Sequence, residues 1–277
     1  WKCDRNLPDW AARGEDCSAE GRVGGLTRAY QRVTPDILGI QEASVHMTNL
    51  LMQRMARYEH EGQAVHYELI TGGDTPILYR ADKLLLIESG FLRYDERIPG
   101  LDGSFNNVGT KSYTFGVFEE KSSGRRIALM STHLWWMSSD PASKEYQPHS
   151  DEARAHQIKL ALGRLDAVTA QYRCPGVLVG DLNAVTDSPC LRAARDMGWI
   201  EAHDCARGLR SDTRGHHPCY ADGYSRPDEG VFAQAIDHIL VKDGSPIVVG
   251  DYLRVDDTWF DCISDHYPVY ISLEFAD

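Results

Sequence analysis

Five short polar motifs, each placed at the end or the start of an apolar run, constrain this sequence more than any other feature. The apolar runs are short and rich in Val, Ile and Leu, which is typical of buried β-strands. Active sites are commonly built where strands end. The pattern therefore predicts a sheet whose strand ends share one polar pocket. The motifs are Ile40–Glu42, Ser131–Leu134, Gly180–Asn183, Ile236–Ile239 and Ser264–Tyr267.

Length and composition indicate one large soluble domain. The chain has 277 residues, of which 42% are hydrophobic, and no linker, charge run or repeat divides it. We therefore interpret residues 1–277 as a single domain. The formal net charge of −12 disfavours a protein that grips long nucleic acid, because the field repels a polyanion. No apolar stretch approaches the ~20 residues that a membrane span requires, so membrane insertion is not expected.

The N-terminus and the cysteines leave the compartment open between cytoplasmic and secreted. The sequence starts at Trp1 without a signal-like segment, and we interpret its natural start as processed, trimmed or left out. The seven cysteines include no Cys-x-x-Cys pair, and mostly buried free thiols are the favoured interpretation. The alternative, for an exported protein, is a bridge between Cys3 and Cys17 or between Cys205 and Cys219. No feature indicates an obligate protein partner.

Hydrophobic periodicity predicts helices alternating with short strands. Helices are predicted over 20–33, 44–58 and 150–172, with Ser150 as an N-cap, and another opens at Ser188-Pro189. Strands are predicted over 36–41, 67–70, 77–79, 84–87, 113–118, 127–131, 176–179, 236–241, 247–255 and 267–273. Residues 203–230 have little periodicity, and we interpret them as a long functional loop whose His216 and His217 are candidates to line a substrate mouth.

Three carboxylates beside apolar runs suit phosphoester chemistry. A divalent cation assists this reaction by neutralising phosphate oxygens and by activating water. Magnesium prefers a few carboxylate oxygens and keeps several waters, so the widely spaced Glu42, Asp181 and Asp265 are candidate ligands. For Glu42 the alternative is a charge that complements the dipole of the helix after it.

Side-chain directions restrict which of the motif residues can act together. Asp181 and Asn183 are separated by one residue and point to one side of an extended segment, unless they form an Asx turn. Asp265 and His266 are adjacent and point to opposite faces. A carboxylate from elsewhere in the chain is therefore needed to orient His266.

In this order, the five motifs resemble those of the endonuclease/exonuclease/phosphatase superfamily, the deoxyribonuclease I-like metal-dependent phosphoesterases. The resemblance spans residues 36–273. It implies an α/β fold, a four-layer α/β/β/α sandwich of two mixed sheets flanked by helices. It also implies a magnesium cofactor, with Mn²⁺ as an alternative, and Glu42 as the principal metal ligand, with Asp265 as a further one.

The same resemblance implies roles for five catalytic residues. Asp237 orients His266 and favours its charged form. Asp181 orients or deprotonates the attacking water, and Asn183 holds that water or the phosphate. His133 contacts the scissile phosphate and stabilises the transition state. The choice of base between Asp181 and His266 stays open.

Substrate contacts are predicted just beyond the His133 motif. Trp135 and Trp136 follow it, and exposed tryptophans there would stack on a base or sugar, although core packing is the common fate of Trp. Arg154 extends one side of the helix over 150–172 toward the same loop, where it is expected to contact substrate. Lys111 is another candidate for a basic mouth.

The chain departs from the family pattern in two places. The family usually starts with a strand ending in an Asn that binds the metal or phosphate, and the context of Asn6 does not match it. Either that strand lies outside this sequence or the site lacks one ligand. His238 replaces an aromatic residue that is frequent in the family, and it is expected to face away from Asp237.

The leading interpretation is a Mg-dependent phosphoesterase in which water attacks phosphorus without a covalent intermediate. The acidic charge favours a small phosphorylated substrate, such as a phosphodiester, phosphosugar or lipid headgroup, or a short nucleic acid. The first alternative is a nuclease or deadenylase acting on DNA or RNA. Two others are a catalytically weakened binding protein of the same fold and a zinc hydrolase that uses the eleven histidines.

Overall fold

The structure, a computed structural model, describes residues 4–12, 14–210, 235–255, 258–260 and 263–276. Its helices are α1 (Pro8–Ala12), α2 (Ala19–Val33), α3 (Val45–Met55), α4 (Ser150–Tyr172), α5 (Pro189–Asp196) and α6 (Ala202–Cys205), with a 3₁₀ turn at Thr258–Phe260. Its strands are β1 (Ile37–Gly39), β2 (Arg57–His60), β3 (Gln63–Ile70), β4 (Ile77–Arg80), β5 (Leu84–Arg93), β6 (Ser112–Glu120), β7 (Arg126–His133), β8 (Gly176–Asp181), β9 (Trp199–Glu201), β10 (Gly208–Leu209), β11 (Asp237–Lys242), β12 (Ile247–Arg254) and β13 (Val269–Phe275).

The described strands form three hydrogen-bonded sheets. The largest has the order β5-β6-β7-β8-β11-β9, and its only parallel pair is β7 with β8. The second has the antiparallel order β1-β4-β3-β2. In the third, β12 pairs in parallel with β10 and antiparallel with β13. The predicted fold of mixed sheets flanked by helices is confirmed, although the described strands divide into three sheets rather than two.

Three apolar clusters separate four layers. The first lies between α4, α5 and one face of the six-stranded sheet, and the second lies between α2, α3 and the four-stranded sheet. The third fills the space between the six-stranded sheet and the two smaller sheets, and its fully buried members include Ile77 and Phe118. Helices thus cover both outer faces of a pair of sheet layers, which is the predicted α/β/β/α arrangement.

Local sequence signals set the ends of α2 and α3. The Ser18 and Ser44 hydroxyls cap the two helices by accepting backbone N–H bonds, and Thr34 ends α2 in a left-handed conformation just before Pro35. The helix predicted over 44–58 ends earlier, at Met55, because residues 57–60 pair with β3 as strand β2.

The helix predicted over 150–172 is present as α4, but its start differs from the prediction. His149, with φ 66°, is the N-cap residue, and its side chain makes no capping bond. Ser150 is the first helical residue, and its hydroxyl donates to the carbonyl of Gln147 at 2.9 Å. In α5, by contrast, Ser188 caps the helix and Pro189 opens it as predicted.

The long loop predicted over 203–230 is partly corrected. Residues 203–210 contain the end of α6 and strand β10, which pairs with β12. The remainder of that prediction lies outside the described residues. So do the predictions for Trp1, Cys3, Cys219, His216 and His217.

Candidate functional site

Three polar side chains stand side by side where three neighbouring strands of the six-stranded sheet end or begin. His133, the last residue of β7, is in register with Asp181, the last residue of β8, and Asp181 is in register with Asp237, the first residue of β11. Paired residues on adjacent strands point to the same face. The Nε2 atom of His133 lies 3.5 Å from Asp181 Oδ2. The strand pairing itself therefore places His133, Asp181 and Asp237 side by side, and we call these three residues, with the side chains that join them, the catalytic row.

The β7–β8 pairing at this row depends on glycine. A Cβ atom on Gly180 would lie 2.2 Å from the carbonyl oxygen of Thr132. Any larger side chain would push β8 away from β7 beside Asp181. Gly180 thus fixes the approach of the two strands that carry Asp181 and His133.

Glu42 joins the row from the four-stranded sheet. It lies between β1 and α3 with φ 56°, a left-handed conformation that is unusual for glutamate and is found mainly where function or packing imposes it. Its Oε1 atom is 4.0 Å from His133 Nε2. Burial alone would raise the pKa of the Glu42 carboxyl, but nearby positive charges, among them His133 and Lys111, lower it below its usual value. Glu42 is therefore an anion beside His133.

His266 reaches the row from the segment before β13. Its Nδ1 atom lies 2.7 Å from Asp237 Oδ2, and 33% of its side chain is exposed. Burial alone would lower the pKa of His266, but the Asp237 carboxylate, helped by Asp181 and Asp265, raises it to about 10. The pair is an imidazolium held by a carboxylate.

Asn183 also has a left-handed backbone, with φ 47°. Its N–H donates to Asp181 Oδ1 at 2.9 Å, which is the Asx turn that the spacing allowed. Its Nδ2 donates to the carbonyl of Leu134 at 3.2 Å, just after His133. The segment therefore forms the Asx turn rather than an extended strand, and the Asn183 amide bonds to the backbone just after His133.

His133 forms a second histidine–carboxylate dyad, with Asp74, which the sequence analysis did not predict. The Nδ1 atom of this histidine lies 2.6 Å from Asp74 Oδ2, and its Nε2 contacts Lys111 Nζ. His133 and Lys111 are almost fully buried. A carboxylate on one ring nitrogen and an ammonium on the other hold the imidazole in one orientation.

Both partners of His133 are positioned by buried polar contacts. Next to Asp74, the buried Thr75 hydroxyl lies 3.0 Å from Thr114 Oγ1. The backbone of Lys111 is held by Asn106, whose side chain accepts from its N–H and donates to its carbonyl. Asp74 lies in a Gly-Gly-Asp-Thr-Pro turn, which reads locally as a connection only. The only sequence signal for its role was its position between two predicted strands, at the same end of the sheet as Glu42.

The donor atoms at the row fit a divalent cation. One carboxylate oxygen from each of Asp181 and Asp237 and one ring nitrogen of His266 lie within 4.8 Å of one another, and the carboxylates are the cation donors because an imidazolium has no free lone pair. Asp181 and Asp237 are like charges in direct cross-strand register, which is unfavourable unless positive charge compensates it. Carboxylate oxygens with few nitrogens are the donor set of a hard cation.

The predicted residues differ in how closely they approach this row. The structure brings together Glu42, Asp181, Asp237, His133 and His266. Asp265 is adjacent in sequence, and its charge contributes to the raised pKa of His266, but it is not a member of the three-ligand group.

Both substrate-contact predictions are corrected. Trp135 is fully buried and packs edge-on against Phe105, so it cannot stack on a ligand, whereas Trp136 is 41% exposed. Arg154 is 5% exposed, and its Nη1 donates to the carbonyls of Trp135 and Met137 at 3.1 and 2.6 Å. Its guanidinium therefore holds the loop after β7 rather than a substrate.

Two further residues have local partners away from the row. Asn6 accepts from the N–H of Cys17 and donates to the carbonyl of Glu15, both at 2.9 Å, so it organises the segment before α2. His238 faces away from Asp237, as expected for the next residue of a strand. Its Nδ1 lies 2.7 Å from Glu201 Oε1 in the protein interior.

A sequence profile described as Endonuclease/Exonuclease/phosphatase family matches residues 14–266, which contain every member of the row. The chain belongs to this family. Its members are phosphoesterase hydrolases and are generally metal-dependent. A comparison with the sequences of curated proteins finds no match.

Solved structures support the same fold. A mannosyl-6-phosphatase from Bacteroides thetaiotaomicron is 21% identical with a TM-score of 0.70, over 99% of this chain and 97% of that one. An endonuclease/exonuclease/phosphatase family protein from the same species is 20% identical with a TM-score of 0.71, over 99% and 95%. The human nocturnin catalytic domain is 17% identical with a TM-score of 0.62, over 93% and 87%.

Across the described residues, the helices are too short or too polar to cross a bilayer.

Proposed function

We propose that the chain hydrolyses phosphate esters by direct attack of water on phosphorus, with a divalent cation at the row of strand ends. The position of Asp181 carries the proposal. It contacts His133 at 3.5 Å and lies within ligand distance of Asp237 and His266, so one carboxylate adjoins both histidine dyads. Phosphoester hydrolysis needs a positioned water, positive charge for the phosphate oxygens and a group that transfers a proton.

Asp181, which belongs to the group of close donor atoms, is the central proposed cation ligand, and Glu42 and Asp265 are proposed as further ligands. Magnesium is the preferred cation, with Mn²⁺ second, because these three carboxylates supply only oxygen ligands. A bound cation of this kind neutralises phosphate oxygens and makes water a better nucleophile. Removal of divalent cations should therefore abolish hydrolysis.

Four side chains are assigned the other catalytic roles, which are orienting the water, transferring a proton and contacting the phosphate. Asp181 orients the attacking water, and the Asn183 amide holds that water or a phosphate oxygen. His266, whose Nδ1 is engaged by Asp237, presents Nε2 for proton transfer. His133, fixed by its buried partners, contacts the phosphate and stabilises the transition state.

A small phosphorylated substrate is the preferred class. The net charge of −12 repels long polyanions, and this favours a phosphosugar, a small phosphodiester, a lipid headgroup or a short oligonucleotide. The mannosyl-6-phosphatase among the structural relatives acts on a substrate of this size. Cleavage of DNA or RNA, as by a nuclease or deadenylase, is the alternative.

A substrate panel tests the proposal. Phosphomonoesters, phosphodiesters and short DNA and RNA are incubated with Mg²⁺ or with EDTA, using the wild type and His266→Ala. We expect hydrolysis with Mg²⁺, none with EDTA, and a loss of about 10²–10⁴-fold in the variant. His46→Ala is the control, because this histidine is exposed on α3 and pairs with Glu20. Activity that survives both EDTA and His266→Ala would refute the mechanism.

A further inference from the structure

A second cleft, rich in arginine, lies between the C-terminal parts of α2 and α3 and strand β2. Its volume is about 580 Å³, within the range of small-molecule sites. It contains no residue of the catalytic row. Its charged and aromatic lining residues are Arg28, Arg32, Arg54, Tyr58, Glu59 and His60.

The arginine cleft is well separated from the catalytic row. Contacts between Glu20 and His46 at one end, and between Gln31 and the carbonyl of Arg54 at the other, show that α2 and α3 run parallel. Glu42 precedes the start of α3, and Arg54 lies in its last turn. At 1.5 Å per residue, the helix places about 15 Å between the two ends. One small ligand cannot fill both sites.

Two of the guanidinium groups contact neighbouring parts of the structure. The Arg28 guanidinium carbon lies over the Trp259 ring at 4.5 Å from its centroid, a cation–π contact that restricts the side chain. Arg54 lies against α2 at Gly24, where a Cβ would be 3.4 Å from Nη1. These contacts reduce the conformational entropy that the two side chains lose when they bind a ligand.

The charge balance of the arginine cleft is unusual for this chain. The sequence has 41 acidic and 29 basic residues, yet Arg28 and Arg54 form no ion pair with any carboxylate in the described part of the chain. Glu59 is the only carboxylate among its described lining residues. The helix dipole favours basic residues in a last turn, which accounts for Arg54 but not for Arg28, farther from the end of α2.

We propose that the arginine cleft binds a compact polyanion, a small molecule with two or more phosphate groups. Planar guanidinium groups match phosphate oxygens through paired hydrogen bonds. Several arginines that face one concave surface favour an anion with several charges over a single phosphate. A long nucleic acid would share the phosphate chemistry, but the acidic surface as a whole repels it. The site is independent of the proposed hydrolysis.

Calorimetric titration with inorganic tripolyphosphate in EDTA tests the proposal. We expect saturable binding to the wild type and affinity at least about tenfold weaker in the double variant Arg28→Ala/Arg54→Ala. Arg57→Ala is the matched control, because this arginine is exposed on β2 but does not line the cleft. Its affinity should stay within about twofold of the wild type, since surface charge alone has a small effect. Thermal unfolding of each variant verifies that it is folded.

Several outcomes would overturn the proposal. These are no binding by the wild type, unchanged affinity in the double variant, or an equal loss in Arg57→Ala, which would indicate general charge attraction. A single-stranded oligonucleotide forms the second arm at the same phosphate concentration. If it binds more tightly than tripolyphosphate and the double variant abolishes that binding, the ligand is nucleic acid and the compact-ligand proposal is wrong.

Discussion

The two histidine–carboxylate dyads at the site have the same local geometry and opposite surroundings. In both, Nδ1 meets a carboxylate oxygen, at 2.6 Å for His133 with Asp74 and at 2.7 Å for His266 with Asp237. The His133 side chain is 1% exposed and lies against Lys111, whereas the His266 side chain is 33% exposed and lies near two further carboxylates. One dyad is part of the core, and the other faces the pocket.

The two dyads also connect the six-stranded sheet to the two smaller sheets. His133 belongs to the six-stranded sheet, and Asp74 belongs to the loop between β3 and β4 in the four-stranded sheet. In the other dyad the roles are reversed, because Asp237 belongs to the six-stranded sheet and His266 precedes β13 of the three-stranded sheet. Each dyad thus joins the large sheet to a different small sheet, and Asp181 lies between them. The site forms only when all three sheets pack correctly.

Asp181→Asn removes the carboxylate that adjoins both dyads, and we expect the largest effect on activity. The kcat/KM for a phosphodiester should fall by more than about 10³-fold, because the water loses its orienting charge and the cation loses a ligand. The free energy of unfolding should not fall, since the variant relieves the cross-strand repulsion with Asp237. Asp187→Asn, an exposed change nearby, is the control. A loss of less than about tenfold would contradict a central role.

His133→Ala and His266→Ala separate the two dyads by stability. We expect His133→Ala to lower the free energy of unfolding by about 3 kcal/mol, because Asp74 and Lys111 are left in the core without the ring between them. His266→Ala should cost less than His133→Ala, since the His266 ring is 33% exposed and solvent weakens its attraction to Asp237. Urea denaturation in EDTA measures both, so that cation binding does not contribute. Equal losses would show that the difference in burial has no energetic consequence.

Asp74→Asn and Asp237→Asn compare the two dyads by activity. The His266 dyad should now show the larger effect, whereas the His133 dyad has the larger effect on stability. Asp237→Asn should lower kcat/KM by about 10²-fold, because the exposed His266 depends on this carboxylate for its orientation and charge. Asp74→Asn should lower it by only about tenfold, since burial and Lys111 still hold His133. Steady-state kinetics on one substrate gives both values. The interpretation fails if Asp74→Asn is the more damaging change.

The sequence contained most of the fold because its apolar runs report burial directly. The strands around the row were recognisable from Val, Ile and Leu runs, and the start of α5 from Ser188-Pro189, whereas the N-cap predicted at Ser150 was wrong. Strand β2 was missed because its sequence, Arg-Tyr-Glu-His, is polar and half-exposed at a sheet edge. Such a segment takes its conformation from its partner strand rather than from its own residues.

The site was less predictable than the fold where contacts come from loops. Glu42, Asp181 and His266 adjoin strand-like runs, and this placed them at one edge. Asp74 lies in a turn, and its contact with His133 spans 59 positions, so no periodicity could reveal it. The roles of these residues in catalysis remain predictions.

Substitution of Trp136 is expected to have the smallest effect. It tests whether the substrate stacks on an aromatic side chain outside the two dyads. The chain turns after β7, and this buries Trp135 and leaves Trp136 41% exposed, two residues beyond the Leu134 carbonyl that accepts from Asn183. If substrates stack there, Trp136→Ala should raise KM about fivefold for nucleotide substrates, leave kcat unchanged, and spare aliphatic phosphates. Tyr146→Ala, a truncation with 42% exposure in the same loop, is the control. Equal KM values for wild type and Trp136→Ala would restrict recognition to the phosphate and the two dyads.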